Sequence, residues 1–372
     1  MSLEVAHLSK KYGEKTALED LSFTMEKPGV YALLGTNGAG KTTAIRMMLN
    51  MLQRDSGTVL WDGKPLDPET CNVGYLAEER GLYPKYELMD QLIYFGMLRG
   101  MDKETVKERI AYWAKRLEVE EYLYPEVALA MEKQREEEEA RERGLTGLEA
   151  KETKGSRPVK KKKPQKADQL SKGNQQKIQF MIALLSDPQL IILDEPMSGL
   201  DPVNTDLFRE IIHEEIEKGK YLIMSSHQMA TVEEFCTDIL ILNRSKVILQ
   251  GNLNEIKKSY GRIFLSLKVE EDISKILSEC GAQVLSEKEG EYELRVSGDE
   301  EANALLSRLI AGGVRIIRFD LREPSLHEIF VRKVEEAQAA LHGRMEEARQ
   351  ESFLDHAQAL SESGEKEAGR NV

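Results

Sequence analysis

Residues 29–49 read GVYALLGTNGAGKTTAIRMML, and this stretch decides the fold. Its first six residues are apolar and β-prone, whereas residues 42–49 carry apolar side chains at helical spacing. Between them Gly35, Gly40, Lys41 and Thr42 form the pattern Gly-x-x-x-x-Gly-Lys-Thr. In this pattern glycine lets the backbone wrap around phosphate oxygens, lysine meets the outer phosphates and threonine ligates Mg²⁺. The stretch therefore predicts a strand, a phosphate-binding loop and a helix whose N-terminus faces an anion.

The phosphate-binding loop, or P-loop, supplies most of the candidate ATP-binding residues. A lone glycine-rich segment is often only a turn, but this one has the flanking strand and helix that a P-loop requires. The candidates in it are Gly35, Asn37, Gly38, Gly40, Lys41, Thr42 and Thr43.

A second motif, LIILDEP at 190–196, is a continuous apolar run that ends in two carboxylates. Such a run is typical of a buried parallel strand, and ligands of open α/β sheets bind at the carboxyl ends of these strands. Successive side chains of a strand point in different directions, so the two carboxylates take different roles. We expect Asp194 to hold Mg²⁺ and Glu195 to polarise the water that attacks the γ-phosphate. The plainer alternative is a pair of helix N-cap residues.

With LSKGN at 170–174, MSGLD at 197–201 and SSH at 225–227, the motif order resembles that of ATP-binding cassette (ABC) ATPases over about residues 1–250. The resemblance implies that two cassettes pack head to tail, with each ATP between the P-loop of one chain and the LSKGN signature of the other. Ser171 and Gly173 would then contact the γ-phosphate bound by the partner, and His227 the γ-phosphate of its own chain. It also implies that Tyr12 stacks on adenine, and that Ser198 and Asp201 communicate across the dimer.

Two features depart from the usual family pattern. The signature has Lys172 and Asn174 in place of glycine and glutamine, and Glu78 in GYLAEERGLYP stands where the family usually has a metal-facing glutamine. A carboxylate keeps the metal-facing oxygen but adds a charge and removes a donor. We therefore expect Thr42, Asp194 and Glu78 around the metal. The segments GYLAEERGLYP and LSKGNQQKIQF look most like those of the ATPase subunits of a bacterial exporter subfamily that includes sodium- and drug-efflux systems.

Composition agrees with a globular ATPase. The 372 residues are 41% hydrophobic and 31% charged, and the net charge of −13 disfavours a protein that coats nucleic acid. The sequence contains no apolar run of about 18 residues and no signal-peptide core at its start. Three cysteines without ligand spacing suit a reducing compartment. The expected location is the cytoplasm, peripheral to the inner face of the cell membrane.

The chain is expected to be α/β, a P-loop ABC ATPase domain with a helical subdomain followed by a small α+β ferredoxin-like domain. The predicted boundaries are 1–250 for the ATPase domain, about 78–185 for its helical subdomain with a charged insertion at 125–166, 261–336 for the accessory domain and 337–372 for a polar tail. Residues 261–320 read as β-α-β-β-α-β, the ferredoxin-like order, and carry no second active site. This domain is interpreted as regulatory or as a dimer-stabilising appendage.

Three smaller expectations concern single segments. The lysine run at 160–163 is either a solvated tether or a contact for anionic lipid headgroups. A helix is expected to start at Pro324. Residues 78–100 occupy the place where the resembling subunits receive a permease's coupling helix, although their Tyr and Leu content fits a buried helix equally well.

The resemblance implies an ATP-hydrolysing subunit, with Glu195 and His227 as catalytic residues, that powers a separate membrane permease for export. Its partners would be that permease and a second cassette, identical or paralogous, without direct contact to the transported substrate. A soluble ABC ATPase acting on ribosomes or DNA is the alternative, although the chain has one P-loop and no long coiled coil. A slowly hydrolysing ATP switch is a third reading, which intact Glu195 and His227 disfavour.

Overall fold

The computed structural model describes residues 1–79, 81–127, 129–130, 165–280 and 282–340. The charged stretch 132–143, the lysine run 160–163 and the tail from 341 onward, for which the sequence made predictions, lie outside the described residues.

The strands are β1 Leu3–Tyr12, β2 Lys15–Met25, β3 Gly29–Gly35, β4 Ser56–Trp61, β5 Lys64–Pro65, β6 Val73–Leu76, β7 Leu190–Asp194, β8 Tyr221–Ser226, β9 Asp238–Asn243, β10 Lys246–Asn252, β11 Phe264–Val269, β12 Gln283–Lys288, β13 Glu291–Arg295 and β14 Ile316–Arg322. The helices are α1 Lys41–Met48, α2 Leu88–Leu98, α3 Lys103–Arg116, α4 Glu120–Leu123, α5 Lys172–Leu184, α6 Pro202–Glu217, α7 Met229–Glu233, α8 Leu253–Tyr260, α9 Ser274–Cys280, α10 Asp299–Ala311 and α11 326–340.

The chain divides into two compact units. The first contains Met1–Gln228 with Phe235–Asp238 and Arg244–Lys246, and the second contains Met229–Glu234, Ile239–Asn243 and the residues from Val247 onward. Each has its own buried apolar residues, so each is described by itself.

In the first unit, one group of strands is antiparallel and alternates between buried and exposed residues. Its order is β5, β4, β1, β2, and β1 pairs with β2 through Leu3 and Met25 and with β4 through Leu3 and Trp61. Leu3, Val5 and Leu8 of β1 are buried whereas Glu4 is exposed, which is the pattern of a sheet with one face against the core.

The other group of strands in this unit is parallel, in the order β3, β8, β7, β6. All residues of β3, β7 and β8 are buried, as expected for strands covered on both faces. The register places Asp194 of β7 opposite Ser225 of β8, and Leu34 of β3 opposite Ser226. The carboxyl ends of the three strands therefore meet at one edge, where the P-loop also begins.

Helices α2 to α5 pack against one another in the first unit, which also contains α1 and α6. Asp102 caps α3 by accepting a hydrogen bond from the Thr105 backbone N–H at 3.0 Å. In α5, Phe180 is buried and stacks on Phe208 of α6 with ring centroids 4.4 Å apart. The apolar residues of α5 thus hold the signature-bearing helix against the core of this unit.

The second unit contains the predicted ferredoxin-like fold. Its sheet has the order β12, β13, β11, β14, with α9 between the first two strands in sequence and α10 between the last two. Its strands and helices share a core in which Leu265, Leu267, Leu294, Leu305 and Leu309 are fully buried. The predicted β-α-β-β-α-β order of 261–320 is confirmed.

The predicted start of α11 at Pro324 is wrong by two residues. The Ser325 hydroxyl accepts from the Glu328 N–H at 3.3 Å, and Glu328 Oε2 accepts from the Ser325 N–H at 2.7 Å. This reciprocal pair is a capping box, so Ser325 is the N-cap and Pro324 lies just before it.

Candidate functional site

The P-loop connects the end of β3 to the start of α1. Gly40 has φ of +113°, and a Cβ added there would lie 2.8 Å from the Ala17 carbonyl oxygen. Both the backbone conformation and the lack of space require glycine at this residue. The loop leads directly into α1, whose first-turn N–H groups and dipole favour an anion such as phosphate.

Lys41 is held close to the loop. Its side chain is buried, and Nζ donates to the Gly35 carbonyl oxygen at 2.9 Å. Nζ also lies 3.2 Å from Glu195 Oε1. One cation therefore reaches both the loop that would wrap the phosphates and the carboxylate at the end of β7.

Asp194 is fully buried, and hydrogen bonds of the Ser225 hydroxyl link it to Glu195. We call this link the Ser225 relay, and the sequence analysis missed it. The Ser225 hydroxyl donates to Asp194 Oδ1 and accepts from the Glu195 N–H at 2.9 Å. Ser225 thus fixes both carboxylate-bearing residues. The available signal was a polar residue at the end of the apolar run YLIMSS, but its partner lies 31 residues away in sequence.

Burial raises the pKa of the Asp194 carboxyl, and the charges of Glu78 and Glu195 raise it further, while the hydrogen bond from Ser225 and the nearby Thr42 hydroxyl oppose the shift. Glu78 lies on the other side of Thr42, whose hydroxyl donates to Glu78 Oε2 at 3.4 Å. The three residues expected around the metal are therefore brought together. Burial likewise raises the pKa of neighbouring Tyr75 to about 12.

The residues present fit Mg²⁺. Asp194 Oδ2 is buried and has no hydrogen-bond partner among the described residues, which leaves an oxygen for a cation. Hard cations take carboxylate and hydroxyl oxygens, the groups that Asp194, Glu78 and Thr42 offer. In the part of the chain that the structure describes, no group of three or more His, Cys, Asp or Glu side chains is arranged to hold a metal alone.

Glu195 has an unusual backbone and two polar contacts. Its φ is +50°, in the left-handed region that costs energy for a residue with a Cβ. Oε2 lies 2.8 Å from His227 Nδ1, while Oε1 faces Lys41. Glu195 is buried, but the His227 side chain is 45% exposed. The imidazole is therefore accessible on the side away from Glu195.

The signature residues Ser171 and Gly173 lie at the start of α5. Ser171 is exposed and caps the helix by accepting from the Asn174 N–H at 3.2 Å. Among the described residues no hydrogen bond joins Ser171 or Gly173 to the P-loop of the same chain. The unusual Asn174 donates from Nδ2 to the Tyr122 hydroxyl at 2.8 Å, which ties the signature to the end of α4.

The remaining candidates are Asp201, Ser198 and Tyr12. Asp201 caps α6, accepting from the Asn204 N–H at 2.9 Å, and this hydrogen bond lowers its pKa. The Ser198 N–H donates to the Glu195 carbonyl oxygen at 3.1 Å. Tyr12 ends β1 with a ring that is 54% exposed, and Lys10 Nζ lies 5.5 Å from the ring centroid. An exposed aromatic ring at this place is suited to stacking on a base.

A groove of about 920 Å³ opens between β6 and α2. Its walls include the apolar side chains of Met51, Phe95 and Leu98, together with Arg99 and Cys71. Met51 and Leu98 are each 63% exposed, so they form an open apolar surface.

Among the described residues, no helix combines the length and the apolar character needed to cross a membrane.

Comparisons with known proteins identify the family. Residues 18–198 match the family model described as ABC transporter, and residues 251–334 match that described as ATP-binding protein DrrA1-3-like, C-terminal domain. The chain is 35% identical over 333 residues to the ABC transporter ATP-binding protein YhaQ of Bacillus subtilis (strain 168), spanning 89% of this chain and 98% of YhaQ. It is 26% identical over 341 residues to the linearmycin resistance ATP-binding protein LnrL of the same organism, spanning 88% and 97%.

A solved structure described as the ATP binding subunit of an ABC transporter aligns with a TM-score of 0.55 and 26% identity, covering 70% of this chain and 93% of that one. The predicted fold class and the resemblance are both confirmed, and the two family models are consistent with the exporter-like subfamily. The chain belongs to the ATP-binding proteins of ABC transporters.

Proposed function

We propose that this chain binds Mg²⁺-ATP and hydrolyses it in a head-to-tail dimer that drives a separate membrane permease. The single observation that carries the proposal is the contact of Glu195 with both Lys41 and His227, at 3.2 and 2.8 Å, beside the P-loop. The Glu195 carboxylate thus contacts both Lys41, the cation expected on the outer phosphates, and His227, the imidazole expected on the γ-phosphate.

The P-loop binds the phosphates of ATP. Gly35, Asn37, Gly38 and Gly40 let backbone N–H groups face the phosphate oxygens, while Thr42 and Thr43 lie in the first turn of α1. Lys41 reaches the outer phosphates from its place beside Gly35, and Tyr12 stacks on the adenine. Anion binding here draws on both hydrogen bonds and the dipole of α1.

Thr42, Asp194 and Glu78 hold the metal. When bound, Mg²⁺ neutralises charge on the phosphates and stabilises the developing charge of the transition state. Asp194 offers Oδ2, and Ser225 fixes the carboxylate through Oδ1. Because burial and the neighbouring carboxylates raise its pKa, Asp194 binds a proton more readily than usual, and acid competes with metal binding.

Glu195 acts on the attacking water. As a general base it accepts the water proton while the oxygen approaches the γ-phosphorus, an effect worth about 10²–10⁴-fold in rate. An imidazolium form of His227 donates from both ring nitrogens, so it can bridge Glu195 and a phosphate oxygen. The strained backbone at Glu195 is consistent with a residue held for catalysis rather than for stability.

The second half of each site comes from a partner cassette. Ser171 and Gly173 are placed at the exposed N-terminus of α5, where the hydroxyl and the free N–H groups favour an anion brought by another chain. Ser198 and Asp201, which follow Glu195 closely, are proposed to sense the partner. The partner is a second copy or a paralogue.

The permease is proposed to dock in the groove beside α2. Its walls are open and apolar and carry the cation Arg99, which suits a short cytoplasmic helix. Export is proposed from the exporter-like resemblance and from the relative named for linearmycin resistance. The assignments of residues 1–250 to the ATPase domain and 261–336 to an accessory domain remain predictions, as does a location at the inner face of the membrane.

Hydrolysis and dimerisation test the catalytic part. The wild-type chain should hydrolyse Mg²⁺-ATP, while Glu195→Gln should be nearly inactive and elute as a dimer when ATP is present. Hydrolysis that survives the substitution, or an absence of ATP-dependent dimer, would overturn the assignment.

The docking part has its own test. Leu98→Asp should keep the hydrolysis rate of the isolated chain but lose association with membranes of the native host. Tyr112→Asp is the control, since Tyr112 is also exposed, at 53%, but lies outside the groove. Equal membrane association of both variants would contradict docking in the groove.

A further inference from the structure

Helix α5 carries more than the signature. Ser171 caps its N-terminus, and Gln176 and Gln179 follow on the same rigid element. The two glutamines are three residues apart, so they share one face of the helix. Their side chains are only 9% and 6% exposed. Burying an amide costs free energy unless it is hydrogen-bonded, so the hydrogen-bond partners of these two side chains show which segments they hold.

Gln176 is bonded to the segment that carries the catalytic base. Its Nε2 donates to the Pro196 carbonyl oxygen at 3.2 Å. Pro196 directly follows Glu195, whose backbone is in the left-handed region. The bond to the Pro196 carbonyl oxygen therefore anchors the residue directly after Glu195, and through it the backbone segment that carries Glu195.

Gln179 is bonded to the segment that carries the unusual metal ligand. Its Nε2 donates to the Glu79 carbonyl oxygen at 3.3 Å, and Glu79 directly follows Glu78. One helical turn of α5 thus holds the residues next to both carboxylates.

We infer that Gln176 and Gln179 are positioning residues that transmit ATP contact at Ser171 to Glu195 and Glu78 of the same chain. The inference rests on the proposed head-to-tail dimer, in which Ser171 contacts the ATP of the partner. A helix moves as a rigid body, and Ser171 to Gln179 spans about 12 Å at the α-helical rise. Movement at the signature therefore reaches the two carbonyls, and each chain aligns its own carboxylates only when the partner holds ATP.

The experiment uses the full chain with Gln176→Met and Gln179→Met combined. Methionine keeps the length of the side chain and its packing but removes the N–H donor. The rate of Mg²⁺-ATP hydrolysis is measured against ATP concentration. We expect kcat to fall about tenfold, in the usual range for coupling between two sites, with KM unchanged and the Hill coefficient lowered.

Gln91→Met is the matched control. Gln91 is also buried, at 3% exposed, and donates to the carbonyl oxygens of Tyr83 and Tyr86, each at 3.0 Å, neither of which adjoins Glu78, Glu195 or the signature. It should lose thermal stability as the double variant does while keeping kcat and the Hill coefficient. Wild-type kcat and Hill coefficient in the double variant, or an equal loss of kcat in the control, would overturn the inference.

The proposed function is checked separately by ATP-dependent dimerisation of Glu195→Gln. If that variant dimerises and the double variant hydrolyses ATP like the wild type, only the inference fails. If Glu195→Gln does not dimerise, the proposed function fails and the inference fails with it.

Discussion

Ser225→Ala is the most informative single change, because one hydroxyl joins the two carboxylate-bearing residues. Ser225 is fully buried at the end of β8. Its hydroxyl accepts from the Glu195 N–H at 2.9 Å and donates to Asp194 Oδ1. Alanine removes both hydrogen bonds and still fits the strand, so the effect of the change comes from these two contacts.

The expected loss of stability follows from those two contacts. A hydrogen bond to a charged group contributes about 1.5–3 kcal/mol, and a buried N–H left without an acceptor costs about 1–3 kcal/mol. The two terms share one atom and do not add fully, so we expect the free energy of unfolding to fall by about 2–4 kcal/mol.

The same change should alter the pH dependence of hydrolysis. The hydrogen bond from Ser225 is one of the contacts that lower the pKa of Asp194, whereas burial raises it above its ordinary value of 3.8. Without Ser225 the pKa rises further, so the proton competes with Mg²⁺ up to a higher pH. The acid limb of the pH–rate profile should therefore move to higher pH.

Urea unfolding of the nucleotide-free protein measures the loss of stability, with Ser226→Ala as the control on the same strand. Ser226 is also buried, but among the described residues its hydroxyl makes one local hydrogen bond, which it accepts from the Gln228 N–H at 2.9 Å. The control should lose about 1 kcal/mol and keep the wild-type pH profile. A Ser225→Ala protein within about 0.5 kcal/mol of wild type would refute the reasoning.

Three further changes test other parts of the molecule. Asp194→Asn should abolish hydrolysis yet stabilise the protein at neutral pH, because the raised pKa of Asp194 means that its ionised form opposes folding. This destabilisation is absent near pH 3.8 and grows as the pH rises from 3.8 through the pKa in the folded state. Urea unfolding should therefore show that the variant is more stable than the wild type at neutral pH but not near pH 3.8. Gly40→Ala should eliminate ATP binding in calorimetry, since the added Cβ would lie 2.8 Å from the Ala17 carbonyl oxygen, and wild-type affinity would contradict the P-loop geometry. Leu267→Ala, which empties a fully buried site, should destabilise the second unit by about 2–5 kcal/mol, seen as faster hydrogen exchange in β11, and unchanged exchange would count against the core.

Local patterns predicted the elements that carry the site. Apolar spacing predicts a strand over 29–34, a helix over 42–49 and a buried strand ending at Asp194. The structure has strands at Gly29–Gly35 and Leu190–Asp194 and a helix at Lys41–Met48. The ferredoxin-like order of 261–320 was predictable for the same reason, because alternation and helical spacing change at each boundary.

Contacts between distant segments could not be predicted from those patterns. The Ser225 relay joins residues 31 apart, and the bond from Gln179 to Glu79 joins residues 100 apart. Only the parallel register brings the first pair together, and only the packing of α5 brings the second. The start of α11 was misplaced because proline suits both the first helical turn and the residue before a cap, and Ser325 with Glu328 decides between them.

Complementation between two inactive variants tests the central claim most directly. Lys41→Ala disables the P-loop, and Ser171→Arg disables the signature, so neither variant alone has a complete site in a head-to-tail dimer. When equal amounts are mixed, about half of the dimers are mixed and each of these regains one complete site, so hydrolysis should return to about a quarter of the wild-type rate if that site works at full speed. The chain that supplies its P-loop faces a partner without ATP, so the roughly tenfold loss of coupling through α5 would lower this to about a fortieth. Mixtures that stay as inactive as the separate variants would show that P-loop and signature do not act across two chains.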